Sequence, residues 1–217
     1  GVFASAFSFR SSALNGANGG GVASAESCIA AQSASYSGDA FTVNRYEATV
    51  TINADRTVDF RERLVVTMNQ SAGTQFYRSL PIDQGDAYFD VSAKRSYTDG
   101  RLSEDSFSVI ENPDNGDYID IVVYGGITAN VTWAYEFSYS MRSSEATSNG
   151  LGLDVVGGGW TVPLNNVTVT VNFPAAPESC EVYSDEYGVA GKRFIKEDSW
   201  SADKKTLTLI SEKLPVI

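Results

Sequence analysis

Short runs that alternate between apolar and polar residues are the feature that most restricts how this chain of 217 residues can fold. Tyr46, Ala48, Val50 and Ile52 share one face of such a run, with charged and hydroxyl-bearing residues between them. Because successive side chains of a strand point to opposite faces, this pattern predicts a strand with one buried face. A turn at 53–56 leads into a second alternating run, so the two runs predict a hairpin.

The same alternation returns as far as the C-terminus, and Gly, Pro, Asn and Asp residues separate the runs. No helical stripe lies between them, which argues against a parallel α/β sheet. Short strands with such turns favour an all-β fold, a β-sandwich of immunoglobulin-like or related antiparallel type. The apolar positions of the further predicted strands are Phe76 and Leu80, Phe89 and Val91, Phe107 and Val109, Ile119 and Val123, Val131 and Tyr139, Val167 and Phe173, and Leu207 and Leu209.

Composition divides the chain into two parts. Residues 1–40 are rich in Ala, Ser and Gly, a composition typical of a flexible segment. Residues 41–217 form the predicted β-sandwich domain. A second small β unit that begins near Trp160 is the alternative for the C-terminal part, although no linker marks a boundary there.

Charge and the missing histidines exclude several classes of function. The net charge of −11 disfavours binding to nucleic acid and to anionic lipid, because both carry negative charge. The chain has no His, which removes Ser-His-Asp and Cys-His nucleophiles and His-ligated zinc. No catalytic motif is found, so we expect neither an enzyme nor a bound cofactor. No run of 18 apolar residues predicts a membrane span.

Two charged residues interrupt apolar faces. Glu62 falls between Phe60 and Leu64 on the apolar side of one predicted strand, and Arg78 occupies the corresponding place in another. An isolated buried charge is costly, so each residue needs a partner. We therefore predict a structural ion pair between Glu62 and Arg78 inside the sandwich.

The two cysteines are Cys28 and Cys180. In an oxidising compartment they could form one long-range disulfide. The alternative is two unpaired thiols, one in each flank of the chain.

Acidic residues cluster around a tight turn that contains Asp114, Asn115, Asp117 and Asp120. Oxygen ligands of this kind bind Ca²⁺. The spacing does not fit an EF-hand, and Pro-Asp-Asn-Gly is turn chemistry in itself. A solvated hairpin turn is therefore favoured over a calcium site.

Four aromatic residues fall outside the clearest inward-facing runs, namely Tyr77, Tyr124, Trp160 and Trp200. Aromatic rings on a β-sandwich can stack on sugars, which makes these residues candidates for carbohydrate binding. Packing in the core or at its rim is the commoner use of such side chains.

Four elements follow one another in a distinctive order. They are a strand that carries Glu62, an element with Arg78 that ends at Pro81, a Gly-Gly-Gly-Trp-Thr-Val-Pro element at 157–163, and a strand that ends at Pro174. Over roughly residues 43 to 217 this order resembles the domain-of-unknown-function 2207 family of predicted bacterial membrane proteins. There a Val-x-Glu element precedes an Arg-x-Ile-Pro-like element, and a Gly-x-x-Trp-x-Val-Pro element leads into a strand ending in Pro.

The chain departs from the family pattern at Ser79, where Asp is usual, at Leu80, where Ile is usual, and at 152–154, where a Trp-Asn stretch is usual. The resemblance implies a signal peptide, an extracytoplasmic β domain and then transmembrane helices. The end at 214–217 would then lie just before the first membrane helix. The family has no assigned activity, so it implies no catalytic residues.

These observations lead to one expected function and one alternative. We expect a membrane-anchored, non-enzymatic domain that contacts an envelope protein on the outer side of a bacterial membrane. The alternative is a carbohydrate-binding module for envelope or environmental glycans.

Overall fold

The computed structural model describes residues 8–12, 40–71, 73–81, 86–111, 118–144, 146, 150–156, 162–183 and 194–215. Within these ranges the secondary structure consists of strands, with no helix. The strands are β1 (Ser8–Ser12), β2 (Phe41–Ile52), β3 (Thr57–Met68), β4 (Gln75–Pro81), β5 (Ala87–Tyr97), β6 (Phe107–Glu111), β7 (Tyr118–Tyr124), β8 (Thr132–Arg142), β9 (Gly150–Asp154), β10 (Leu164–Asn172), β11 (Ser179–Tyr183), β12 (Glu197–Trp200) and β13 (Thr206–Leu214).

A seven-stranded sheet forms one face of the molecule, in the order β12-β13-β10-β2-β3-β8-β5. Every neighbouring pair in it is antiparallel except β10 and β2, which run parallel. The predicted hairpin of β2 and β3 lies near its centre. β10, β12 and β13 complete this sheet instead of forming the separate C-terminal unit that the sequence left open.

The apolar positions of the central strands line up across the sheet. Val50 pairs with Phe60, which in turn pairs with Tyr139 of β8. On the other side Val50 pairs with Val171 of β10, which pairs with Leu207. All five side chains are buried, so period-two alternation in separate strands builds one continuous apolar face.

A three-stranded sheet, in the order β4-β7-β6, covers part of this face. Phe76 of β4 stacks on Tyr135 of β8 with 4.0 Å between ring centroids. Ile121 and Val123 of β7 belong to the same buried core. The two sheets therefore form an all-β sandwich, as the sequence predicts.

A second three-stranded sheet, in the order β11-β1-β9, adds to the core. Leu151 and Leu153 of β9 and Val182 of β11 are buried with the residues of the larger sheet. β1 lies within the segment 1–40, so part of the segment predicted to be flexible pairs with strands of the predicted domain.

Two predicted apolar pairs differ from expectation. Between Phe89 and Ser92 the register of β5 against β8 shifts, and Asp90 adopts a left-handed conformation with φ 52°. This bulge turns Phe89 outward, whereas Val91 packs against the core. Phe107 and Val109 pair with inward-facing residues of β7 but remain exposed, because β6 is an edge strand.

Candidate functional site

The side chains of Glu62 and Arg78 meet between the facing sheets. Glu62 lies on the inner face of β3 between Phe60 and Leu64, and Arg78 reaches it from β4. Arg78 Nε lies 2.8 Å from Glu62 Oε2, and Arg78 Nη2 lies 2.7 Å from Glu62 Oε1. This two-pronged geometry is the strong form of a charge-assisted hydrogen bond. The structure thus brings together the two charges that the sequence placed on separate apolar faces.

Neighbouring groups complete the hydrogen bonding of this pair. Tyr46 and Tyr139 donate their hydroxyl hydrogens to Glu62 Oε1, over 2.8 Å and 3.2 Å. Arg78 Nη1 donates to the carbonyl oxygen of Ser79 over 3.0 Å. The carboxylate of Glu62 is fully buried and the Arg78 side chain is 6% exposed. A buried charge survives at such a depth when its hydrogen-bonding capacity is satisfied in this way.

The pKa values of Arg78 and of the two tyrosines that contact Glu62 are shifted in directions that hold the charges in place. Burial alone would lower the pKa of Arg78, but the charge and hydrogen bonds of Glu62 outweigh burial and raise it well above its ordinary value. Burial first, and the Glu62 charge second, raise the pKa values of Tyr46 and Tyr139 well above their ordinary value. The arginine therefore stays charged and both phenols stay protonated at neutral pH.

A second ion pair, which is partly buried and which the sequence reasoning missed, lies at the end of β5. Arg95 is 5% exposed, and its Nε lies 2.5 Å from Asp105 Oδ2. Its Nη1 donates to the carbonyl oxygen of Gly126 over 2.9 Å, and its guanidinium lies 3.7 Å from the centre of the Trp133 ring. This combination of ion pair and cation–π contact fixes the segment after β5 against the large sheet.

Gly125 provides the space for this second pair. A Cβ atom placed on Gly125 would lie 2.2 Å from Arg95 Nη2 and 2.4 Å from Asp105 Oδ1, whereas one placed on Gly126 would meet nothing within 4 Å. We expect Gly125→Ala to lower the free energy of unfolding by about 1–3 kcal/mol, because the locked pair must move. Gly126→Ala is the matched control, with an expected change within about 0.5 kcal/mol. Urea denaturation of both variants tests this; equal effects would contradict it.

The predicted sugar-stacking residues do not form one platform. Tyr77 and Tyr124 are both half-buried and lie on the outer face of the sheet β4-β7-β6. The Tyr77 hydroxyl donates a hydrogen bond to Gln75, and the Tyr124 hydroxyl lies 2.8 Å from that of Ser108. Burial is the main cause that raises the pKa of Tyr77, and the electrostatic interaction with Tyr124 is the second. Trp200 instead packs on Phe173 of the core, with 5.5 Å between centroids.

Several predicted residues fall outside the ranges that the structure describes, namely Cys28, Asp114, Asn115, Asp117 and Trp160. The disulfide and calcium predictions therefore stay predictions. Their described members are Cys180, which lies in β11, and Asp120, whose Oδ1 accepts a hydrogen bond from Ser79 over 2.5 Å. In the described part of the chain no group of acidic or cysteine side chains is arranged to hold a metal ion.

Large apolar side chains are exposed along one side of the sandwich. On β6, Phe107, Val109 and Ile110 are 39%, 44% and 41% exposed. At the end of β5, Tyr97 is 38% exposed. Leu102, which lies where the chain turns back and forms an antiparallel bridge with Ser96, is 66% exposed. We call these five residues the apolar edge. Several exposed large apolar side chains on neighbouring strands often mark a site of interaction.

Fold and surface together define an all-β sandwich domain with one buried ion pair, one partly buried ion pair and an apolar edge. The chain belongs to the family described as the predicted membrane protein (DUF2207) N-terminal domain, whose model matches residues 42–215. This confirms the resemblance seen in the sequence. Among the described residues no helical segment has the length and hydropathy of a membrane span. No curated protein matches the sequence.

Solved structures show only a distant likeness. A candidate protease from Parabacteroides distasonis has 13% identity and a TM-score of 0.49, covering 82% of this chain and 36% of the other. A candidate nutrient-binding protein from Legionella pneumophila has 9% identity and a TM-score of 0.46, covering 81% and 64%. An M1 zinc metallopeptidase from Deinococcus radiodurans has 12% identity and a TM-score of 0.44, covering 79% and 39%. The chain thus spans less than two thirds of each of these proteins.

Proposed function

We propose that this chain is the non-enzymatic, extracytoplasmic domain of a membrane-anchored bacterial protein and that it mediates protein contacts in the cell envelope. The observation that carries the proposal is the apolar edge of Tyr97, Leu102, Phe107, Val109 and Ile110. Burying exposed apolar surface against a partner is the main favourable term in protein association. A domain that keeps such side chains in water gains stability when a partner covers them.

The buried charges support a structural and not a catalytic use. A general acid or base must reach the proton that it transfers. The carboxylate of Glu62 instead accepts hydrogen bonds from Arg78, Tyr46 and Tyr139, and that of Asp105 is paired with Arg95. Both acids are thus already occupied by partners from the fold itself.

Charge supports the outer side of the membrane. The family is described as the N-terminal domain of a predicted membrane protein, which supports a position near a bilayer. The cytoplasmic leaflet carries a negative surface potential that repels acidic protein surfaces within a Debye length. A domain with a net charge of −11 is therefore better accommodated on the outer side.

Capture of partners from detergent-solubilised membranes of the source bacterium tests the proposal. We expect the immobilised domain to enrich a specific protein and Leu102→Glu to reduce that enrichment, because a charge is placed in the apolar edge. Thr49→Glu is the matched control, since Thr49 is also exposed but lies on the outer face of β2. Enrichment that both variants retain equally would contradict a contact through the apolar edge.

A carbohydrate-binding module is the second candidate, and the pair Tyr77 and Tyr124 favours it. The two half-buried rings lie on one face of the sheet with Gln75, Ser108 and Asp120, so apolar ring surface and polar groups occur side by side. Sugar recognition needs this mixture of stacking and hydrogen bonding. Capture of wall glycan and no protein, lost in Tyr77→Ala, would replace the first proposal by this one.

A further inference from the structure

Four strands form the edges of the two facing sheets. The seven-stranded sheet ends in β12 and β5, and the sheet that covers it ends in β4 and β6. An edge strand exposes unpaired backbone N–H and C=O groups, so natural proteins protect edges with charges, prolines, bulges or a covering segment. The protection of these four edges is unequal.

Three edges carry recognisable protection. β12 has only four residues, and Glu197 and Asp198 are two of them. β5 contains the bulge after Phe89 and the exposed Lys94, and the chain folds back on its end so that Ser103 N–H donates to the carbonyl oxygen of Arg95 over 3.0 Å. β4 ends at Pro81, which has no N–H to donate.

β6 has fewer of these devices. Its five residues, Phe-Ser-Val-Ile-Glu, include one charge, Glu111 at the end, but no proline, no lysine and no register shift against β7. No described strand pairs with its outer side. Phe107, Val109 and Ile110 are exposed large apolar side chains on this edge. β6 is therefore the edge at which another strand can add most easily.

The alternation of hydrogen bonds between β6 and β7 shows which backbone groups of β6 point away from β7. Tyr124 N–H donates to the carbonyl oxygen of Ser106 over 2.8 Å. In an antiparallel ladder bonded and non-bonded pairs alternate. Ser108 therefore turns its N–H and C=O toward β7, while Phe107, Val109 and Glu111 turn theirs toward the open side. Gly125 N–H donates to the carbonyl oxygen of Thr74 over 2.8 Å, which fits the same alternation on the β4 side of β7.

The charge around β6 selects the chemistry of the added strand. Between Arg101 and Arg142 the sequence has no lysine or arginine. Glu104 and Glu111 lie exposed on either side of the apolar residues of β6. A second copy of the chain would bring the same acidic edge close to this one, and like charges repel each other. A basic segment complements this edge.

We propose that β6 accepts an extended segment of a partner protein as an added β-strand, and that this segment alternates basic and apolar residues. Backbone hydrogen bonds to Phe107, Val109 and Glu111 supply the pairing, and the exposed apolar side chains supply contact. This inference rests on the proposed function and specifies how the partner is held. It also predicts that binding weakens as salt is added.

The test uses the purified chain and a fluorescent, acetylated and amidated heptapeptide of alternating lysine and valine, followed by fluorescence anisotropy. Val109→Pro removes an outward N–H without removing a bond to β7, so we expect the melting temperature to hold and the Kd to rise about tenfold or more. Val109→Thr keeps the N–H and is the matched control, with the Kd nearly unchanged. Equal binding to wild type and Val109→Pro would overturn strand addition at β6.

Charge is tested separately. We expect Glu104→Gln with Glu111→Gln to weaken the binding of this peptide and to reduce its dependence on salt, while Glu197→Gln on the opposite edge leaves both unchanged. A lysine–glycine heptapeptide has the same charge but low strand propensity. Equal binding of this control peptide would reduce the effect to electrostatics alone and overturn the proposal.

The outcome can be separated from that of the proposed function. Self-association of the wild type that Val109→Pro abolishes, with no binding of the lysine–valine peptide, would replace the basic segment by a second copy. A membrane protein captured equally by the wild type and Val109→Pro would overturn the use of β6 but leave the contact function standing. Peptide binding that needs Val109, with no protein captured from membranes, supports the edge and leaves the envelope role without support.

Discussion

Arg78→Leu should lower the free energy of unfolding by about 3–5 kcal/mol, the largest effect expected of any single substitution in this domain. The leucine fills most of the space of the arginine stem but supplies no hydrogen bonds. The carboxylate of Glu62, which is 0% exposed, then loses its bonds from Nε and Nη2 and keeps only those from Tyr46 and Tyr139. Chemical denaturation followed by circular dichroism gives the free energy directly.

Two further variants separate the buried charge from the loss of an arginine as such. Glu62→Leu combined with Arg78→Leu removes both charges, so the double variant should be more stable than Arg78→Leu alone. Arg61→Leu removes an arginine whose Nη2 lies equally close, 2.7 Å, to Glu136 but whose side chain is 67% exposed. An exposed pair contributes about 0–1 kcal/mol. If Arg78→Leu costs no more than Arg61→Leu, the pair is not a structural element of the core.

The buried pair of Glu62 and Arg78 could be predicted because each residue breaks an otherwise regular alternation. In β3 and β4 the apolar residues recur at every second position, and the charged residue occupies one of those positions. Regular strands preserve the phase of the pattern, so the face on which a side chain lies follows from the sequence. The requirement that a buried charge has a partner then links two residues from strands that are not neighbours in a sheet.

The pair of Arg95 and Asp105 was harder to predict. Counting in twos from the predicted apolar positions Phe89 and Val91 places Arg95 on the buried face, where the structure has it. The bulge in β5, however, inserts one residue after Phe89 and turns Phe89 outward, so the apolar run that leads up to Arg95 consists only of Val91 and Ala93. Asp105 lies in a connection before β6, where no periodicity indicates its direction. Gly126 and Trp133, the other partners of Arg95, are distant in the sequence, so a local pattern cannot indicate these contacts.

The order of the strands within the sheets could not be predicted from the sequence either. Alternation predicts which face of a strand is buried but not which strands are neighbours. β10 follows β9 in the chain yet lies between β13 and β2, and it runs parallel to β2. The apolar pattern of β10 is compatible with either direction, because the buried face depends only on the period of two. The choice between directions depends on the connections and on packing of the whole core.

Alkaline pH should destabilise the domain through its buried tyrosines. Burial is the main cause that raises the pKa of Tyr135 to about 12, compared with 10.0 for the ordinary side chain. A phenol whose pKa is raised by folding contributes stability that is fully present below pH 10.0 and is lost as the pH rises toward 12. Tyr46 and Tyr139 have pKa values raised in the same direction. The free energy of unfolding should therefore fall above about pH 10.

Tyr135→Phe isolates the contribution of one phenol. At neutral pH the variant loses a hydroxyl and should be less stable than wild type by about 1 kcal/mol. Because Phe cannot ionise, the variant escapes the alkaline loss due to Tyr135, which amounts to about 2 kcal/mol by pH 12. The variant should thus become the more stable protein as the pH rises. Tyr97→Phe removes a phenol from a partly exposed ring and controls for the substitution itself.

The crossing of the two stability curves is the decisive observation, because general alkaline effects act on both proteins alike. Deprotonation of lysines and repulsion among carboxylates lower both curves and cancel in the difference. Only a phenol that is protonated in the folded state and ionised in the unfolded state makes the difference depend on pH. A difference between wild type and Tyr135→Phe that stays constant from neutral pH to pH 12 would show that folding does not hold this hydroxyl in its protonated form.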